Sequence, residues 1–216
     1  MNLLLEHLIS KVYDGALAPE HLDDLRTSGL TDETITAQYI RSVPPAMIPR
    51  LLGFDIPSVR SALLFPFRSP SGGFTDHVRV KIFPPLTGAD GHTIKYLQRK
   101  GTAPRLYFVA GCLREVLEGA VPLWVVEGEK KALAVAQLGL PAVGLCGVEG
   151  WHRQGATALL ADFDAVRLRE RILELVPDGD YQTNPDVKRA IQRFGGALLA
   201  RGARPRVVLL PSELPR

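Results

Sequence analysis

The chain has 216 residues, of which 46% are apolar and 23% charged, and a net charge of +3; this is the composition of one large folded domain or two small ones, not of a disordered tail. No apolar run approaches the roughly 18 residues that a membrane-spanning helix needs, and the N-terminus has neither the basic stretch nor the cleavage site of a signal peptide. Cys112 and Cys146 have no Cys or His at ligand spacing, which excludes a disulfide framework and a Cys-based zinc site and fits a reducing cytoplasm.

Residues 1–56 carry a net charge of −4 and read as a helical lead. LAPEHLDDLRTSGL places Leu17, Leu22, Leu25 and Leu30 near helical spacing and stops at Gly29. Thr31 opens a second helix, TDETITAQYI, and VPP ends it. Nothing in this part suggests chemistry.

Residues 57–110 carry +6 and form a basic β-rich subdomain. RSALLFPFRSP is a short apolar strand and SGGF a turn. HVRVKIF alternates with period two: Val78, Val80 and Ile82 face one way, and His77, Arg79, Lys81 and Phe83 the other. PPLTGADGHT reads as a loop, and IKYLQRKGTAPRLYFV adds one or two short elements. Basic positions interleaved with aromatics suit a phosphate backbone or unpaired bases.

Residues 111–216 carry +1 and read as an α/β domain. A buried strand (Leu123 to Val126), a helix (Lys130 to Leu138) and a second buried strand (Ala142 to Leu145) form a βαβ unit, which implies a parallel sheet. A strand ending at Val176, a helix in PDVKRAIQRFGGALLARG with Gly195 and Gly196 weakening its middle, and a last strand RVVLLP complete it.

Two places put carboxylates just past a buried strand: Glu127 after Leu-Trp-Val-Val, and Asp178 and Asp180 after Leu-Val-Pro. Ligands of open parallel sheets bind at that edge. Clustered carboxylates repel one another and raise one another's pKa unless a cation neutralises them. Hard oxygen donors suit Mg²⁺ or Mn²⁺, and Gly128 and Gly179 would give the tight turns. Singly, each acid also reads as a helix cap or a turn residue; the metal reading rests on their joint order. Asp162-Phe163-Asp164 lies before its strand and reads as structural. The five histidines are scattered, and there is no G-x-x-x-x-G-K-[ST] phosphate loop.

VVEGEKKA, GLCGVEGW and PDGDYQTNPDVKRA, followed by a strand ending in LLP, resemble a Toprim domain. Bacterial-type DNA primases, type IA and type II topoisomerases, some nucleases and a recombination mediator share that fold. Glu127 falls on the Toprim glutamate, and Asp178 and Asp180 fall on its Asp-x-Asp pair. Upstream, LLFPFRSPSGGF, VRVKIF and KYLQRKGTAPRLYF resemble the basic subdomain that precedes Toprim in bacterial and phage primases. Arg68, Arg79, Lys95 and Lys100 sit on its basic positions. HLDDLRTSGLTDETI resembles the helical lead of the same core. The GEKKA–GVEGW arrangement is most similar to Toprim-like replication proteins of plasmids and phages, and the likeness covers about residues 20–212.

The resemblance implies a Rossmann-like parallel sheet flanked by helices, preceded by a small basic β-rich subdomain and a short helical lead. It implies a DNA primase-type nucleotidyltransferase core that makes primers from nucleoside triphosphates on a single-stranded DNA template. Glu127, Asp178 and Asp180 would be the catalytic carboxylates and would hold Mg²⁺ or Mn²⁺. Arg68, Arg79, Lys81, Lys95, Arg99, Lys100, Lys130 and Lys131 would meet nucleic acid or nucleotide. A replicative helicase is an implied partner, in trans or as a further C-terminal domain. A Toprim nuclease and a non-catalytic single-strand-binding module remain alternatives. Two departures stand out: primases usually carry an aspartate where this chain has Lys131, and often a further acidic pair after the last strand, where this chain runs from Leu-Leu-Pro into Ser212-Glu213. Fewer acids imply fewer ions, with Lys130 or Lys131 meeting a nucleotide phosphate instead.

Overall fold

The structure is a computed structural model that describes residues 3–89, 91 and 93–210. The chain forms two compact units, one running through Phe67 and taking up again at Phe74–Thr102, the other comprising Arg68–Gly73 and the chain from Ala103 onward.

The first unit contains helices α1 (Leu3–Tyr13), α2 (Pro19–Thr27), α3 (Asp32–Ala37) and α4 (Ile48–Leu52). Its strands are β1 (Arg41–Val43), β2 (Ser61–Leu64), β3 (Arg79–Thr87) and β4 (Thr93–Gln98), an antiparallel sheet in that order. Pro19 sits in the first turn of α2, where no amide donor is needed. The Thr31 hydroxyl caps α3 by accepting from the Thr34 N–H at 3.3 Å.

Helices cover this sheet on both faces, and the pleat decides which residues each face receives. Val43, Ala62, Leu64, Val80 and Ile82 share one face and form a core with Leu5, Leu8, Ile9 and Val12 of α1 and Leu51 and Leu52 of α4. The opposite face carries Ser42, Ser61, Lys81 and Phe83. Here α2 packs down: His21 bonds to both serines and its ring lies 4.6 Å from that of Phe83, while Asp24 pairs with Lys81. Residues 1–56 thus share one core with strands β2 and β3, whereas Leu106 and Phe108 of the 57–110 stretch lie in the core of the second unit, and the alternation in HVRVKIF records two covered faces, not one open basic one.

The segment PPLT, read from sequence as loop, continues β3 to Thr87. Its prolines fall inside the register shift between Lys81 and Leu86, where an interrupted ladder does not demand their missing donors.

The second unit holds α5 (Leu113–Glu118), α6 (Glu129–Gln137) and α7 (Pro185–Ala200) around strands β5 (Tyr107–Phe108), β6 (Leu123–Glu127), β7 (Ala142–Leu145), β8 (Ile172–Val176) and β9 (Arg204–Val207). The order is β5-β7-β6-β8-β9, with β7, β6, β8 and β9 parallel and β5 an antiparallel edge. Leu123, Val125, Val143, Leu173 and Leu175 meet Val187, Ile191, Phe194 and Leu198 of α7 in its core. This is the α/β arrangement with a parallel sheet that the βαβ pattern predicts. Gly195 and Gly196 do not interrupt α7, and the last strand runs Arg204–Val207, starting two residues before the segment RVVLLP read from sequence and ending before its Leu-Leu. Asp162 is structural: its carboxylate accepts from the Arg105 guanidinium at 2.6 Å and the Leu106 N–H at 2.9 Å. Among the described residues, no helix is long and apolar enough to cross a membrane.

Candidate active site

Glu127 is the last residue of β6, and Asp178 stands two residues beyond β8. The two strands are parallel neighbours in register Val126 to Val176, so their carboxyl ends open on the same edge of the sheet, where backbone pairing stops and side chains of separate strands can meet.

The turn after Glu127 is built on glycine. Gly128 has φ 94°, a conformation that side chains with a Cβ rarely adopt, and its N–H donates to the Leu145 carbonyl at 2.8 Å. Gly179 differs from expectation. Its backbone is not left-handed, because Asp178 instead leads into a single 3₁₀ turn over Gly179–Gln182.

Glu127 is half-buried and its carboxylate accepts from the Val148 N–H. Burial pushes its pKa above the ordinary carboxylate value, the Asp178 charge pushes the same way, the Lys131 ammonium opposes, and Asp180 adds a further upward push. These groups therefore share one electrostatic environment. The Lys131 ammonium, from the first turn of α6, forms an ion pair with Asp178. Asp180 accepts from the Asn184 side-chain amide at 3.0 Å. Asn184 in turn caps α7 by accepting from the Asp186 N–H at 3.0 Å. Sequence reasoning did not single out Asn184, although an Asn-Pro pair before an apolar periodicity is a helix-start signal.

The GVEGW loop, which brings the Val148 amide to Glu127, follows β7 and is tightly constrained. A Cβ on Gly150 would lie 2.6 Å from the Cys146 nitrogen, so no other residue fits without moving the loop. Trp151 is buried and stacks on Phe194 of α7, centroids 5.5 Å apart. Glu149 pairs with His152 at 3.0 Å and with Arg193. Together with Asp186, Arg189 and Gln192, Glu149 and Arg193 line an open depression of about 460 Å³.

The sequence-predicted basic residues divide between the units. Arg68, Lys130 and Lys131 belong to the unit that carries the carboxylates; Arg79, Lys81, Lys95, Arg99 and Lys100 belong to the other. Arg68 donates to the Gly72 carbonyl at 3.0 Å, and Lys130 is half-buried in α6. In the first unit Lys95 and Lys100 are exposed. Arg79 lies over the Tyr96 ring at 5.1 Å. Arg99 donates to the carbonyls of Arg50 and Leu51 at 2.9 and 2.7 Å, so its donors already serve the backbone. Lys81 is only 9% exposed and its charge is taken up by Asp24.

The donor set at the sheet edge is all oxygen, and its negative charges already disfavour one another's ionisation at Glu127. That chemistry suits a small hard divalent cation. As the side chains stand, no three His, Cys, Asp or Glu residues among those described are close enough together to hold a metal ion, and the cation on Asp178 is Lys131.

Comparisons with known proteins bear on the fold. A family described as a domain of unknown function, DUF3854, matches residues 113–215. No curated protein matches the chain significantly. The structure is similar to one described as the DnaG catalytic core: 21% identity, TM-score 0.59, covering 96% of this chain and 72% of that one. It is similar to the zinc-binding and RNA polymerase domains of the Aquifex aeolicus primase, at 12% identity and TM-score 0.65 over 97% of this chain and 54% of that one. It is also similar to the RNA polymerase domain of the Mycobacterium tuberculosis primase DnaG, at 15% identity and TM-score 0.65 over 98% and 76%. At these identities the likeness is one of fold: the second unit, with its parallel sheet flanked by helices, has the Toprim-type α/β fold, and the chain as a whole is similar in fold to primase catalytic cores.

Proposed function

We propose that the chain is a primase-type nucleotidyltransferase core that extends primers on single-stranded DNA from nucleoside triphosphates. The observation that carries this reading is the placement of Glu127 and the Asp178-x-Asp180 pair at the carboxyl edge of adjacent parallel strands, within a fold similar to primase catalytic cores over nearly the whole chain. Glu127, Asp178 and Asp180 would hold Mg²⁺ or Mn²⁺, which would offset the charge of the triphosphate. Glu127 is kept in place by the Val148 amide, and Asp180 by Asn184. Lys130 and Lys131, at the start of α6, face the phosphates, while exposed Lys95 and Lys100 draw the template strand by charge. The replication system of a plasmid or phage, with a helicase as partner, is the setting this reading fits.

The test is to incubate the protein with single-stranded DNA, labelled nucleoside triphosphates and Mg²⁺ or Mn²⁺. The wild type is expected to form short primers, and Glu127→Gln and Asp178→Asn to lose at least about a hundredfold in rate, the scale set by removing a group that acts on transition-state charge. Equal synthesis by all three proteins refutes the assignment. Metal-dependent cutting without incorporation identifies a nuclease using the same carboxylates. Salt-sensitive strand binding without turnover identifies a binding module.

A further inference from the structure

Lys131 stands where an ordinary helix would not place a cation. It lies in the first turn of α6, next to the positive end of the helix dipole, and a basic residue there is unfavourable unless an anion answers it. The anion is Asp178, just past the neighbouring parallel strand β8 and 47 positions along the chain. Glu127 and Asp180 are near enough that their charges act together with this pair. Three carboxylates at one sheet edge would repel and splay, and one tethered ammonium is built into their midst.

We propose that Lys131 is a resident countercharge of the carboxylate cluster: it occupies Asp178 in the metal-free protein, and a divalent ion binds there only by displacing it. The inference rests on the reading of these carboxylates as a metal site. Two consequences follow by mass action. At a given Mn²⁺ concentration the metal therefore adds less stability than it would to a chain lacking the Lys131 charge. Metal affinity is also lower than the carboxylates alone would give, because a fixed positive charge competes for the same oxygen donors.

The experiment measures Mn²⁺ binding to the whole chain by the electron paramagnetic resonance of free Mn²⁺, and thermal unfolding in chelator and in Mn²⁺, for wild type, Lys131→Met and Glu127→Gln. Methionine keeps the unbranched stem and helix preference of lysine and removes the charge. Lys131→Met is expected to bind Mn²⁺ roughly tenfold more tightly than wild type. Its Tm should be below the wild type's in chelator and rise more than the wild type's at the same Mn²⁺ concentration. Glu127→Gln should bind more weakly than wild type. If Lys131→Met binds Mn²⁺ no more tightly while Glu127→Gln still weakens binding, the countercharge role is overturned and the metal site stands. If Mn²⁺ binds none of the three, both fall. A tenfold gain in Lys131→Met alongside a wild type that makes no primers keeps the countercharge and removes the polymerase reading.

Discussion

His21 shows how a residue that reads as ordinary becomes decisive once folded. It is 1% exposed. Its Nδ1 lies 2.7 Å from the Ser42 hydroxyl and its Nε2 3.0 Å from that of Ser61, which itself donates to Glu20 at 2.7 Å. Since Ser61 gives its proton to Glu20, Nε2–H must donate to Ser61, and Nδ1 accepts from Ser42: one neutral tautomer satisfies the whole chain of bonds. Burial lowers the His21 pKa below 6.5, with Glu20 and Asp24 pulling it up and Lys81 pushing it down. The unfolded chain then binds the proton first, so stability is full above pH 6.5 and is lost as pH falls from there toward the lowered value. Urea midpoints at pH 8 and pH 5.5 should show the wild type losing stability on acidification and His21→Gln losing less; equal losses would exclude His21 as the source. No motif announces this network, because its members come from α2, β1 and β2 and only the sheet brings them together.

At the scale of elements, most of what orders the second unit was legible, and the reasons are local. Continuous apolar runs such as Leu-Trp-Val-Val mark strands buried on both faces, so the parallel sheet and the edge where Glu127 and Asp178 sit could be read directly. What could not be read is how helix ends are satisfied by distant residues. Arg171 is 3% exposed and donates to the carbonyls of Glu115, Val116 and Val121 at 2.6, 2.5 and 2.9 Å. Two of these lie in the last turns of α5, where the Glu115 carbonyl also accepts from the Gly119 N–H at 3.0 Å. Arg171→Met should destabilise the protein by about 2–4 kcal/mol, since it takes the buried guanidinium donors from the Val116 and Val121 carbonyls. A fall in urea midpoint at unchanged slope would report it. In the first unit, Lys81 misled by the same blindness to distant partners: period-two alternation fixes which residues share a face but not whether a helix covers that face, and here α2 does.

For the whole molecule, that distinction sorts the basic residues. If single strands bind the first unit by charge, replacing exposed Lys95 or Lys100 with alanine should each lower the slope of log affinity against log salt by roughly 0.7, one phosphate contact on a single strand. Lys81→Ala should leave that slope unchanged and reduce stability instead, because it strands Asp24. Filter binding across a salt series checks both, and an altered slope for Lys81→Ala would mean that the pair with Asp24 opens in solution. The sequence likewise told which acids to watch but not that Lys131 lies against one of them, since a contact across 47 positions leaves no periodic trace. One consequence concerns trimming. Residues 1–56 supply β1 and the helices that pack against β2 and β3, so a fragment begun at residue 57 would bare an apolar sheet face and aggregate. A fragment begun at residue 103 would keep its own interior yet forfeit Arg68–Gly73, the short stretch the second unit borrows from upstream.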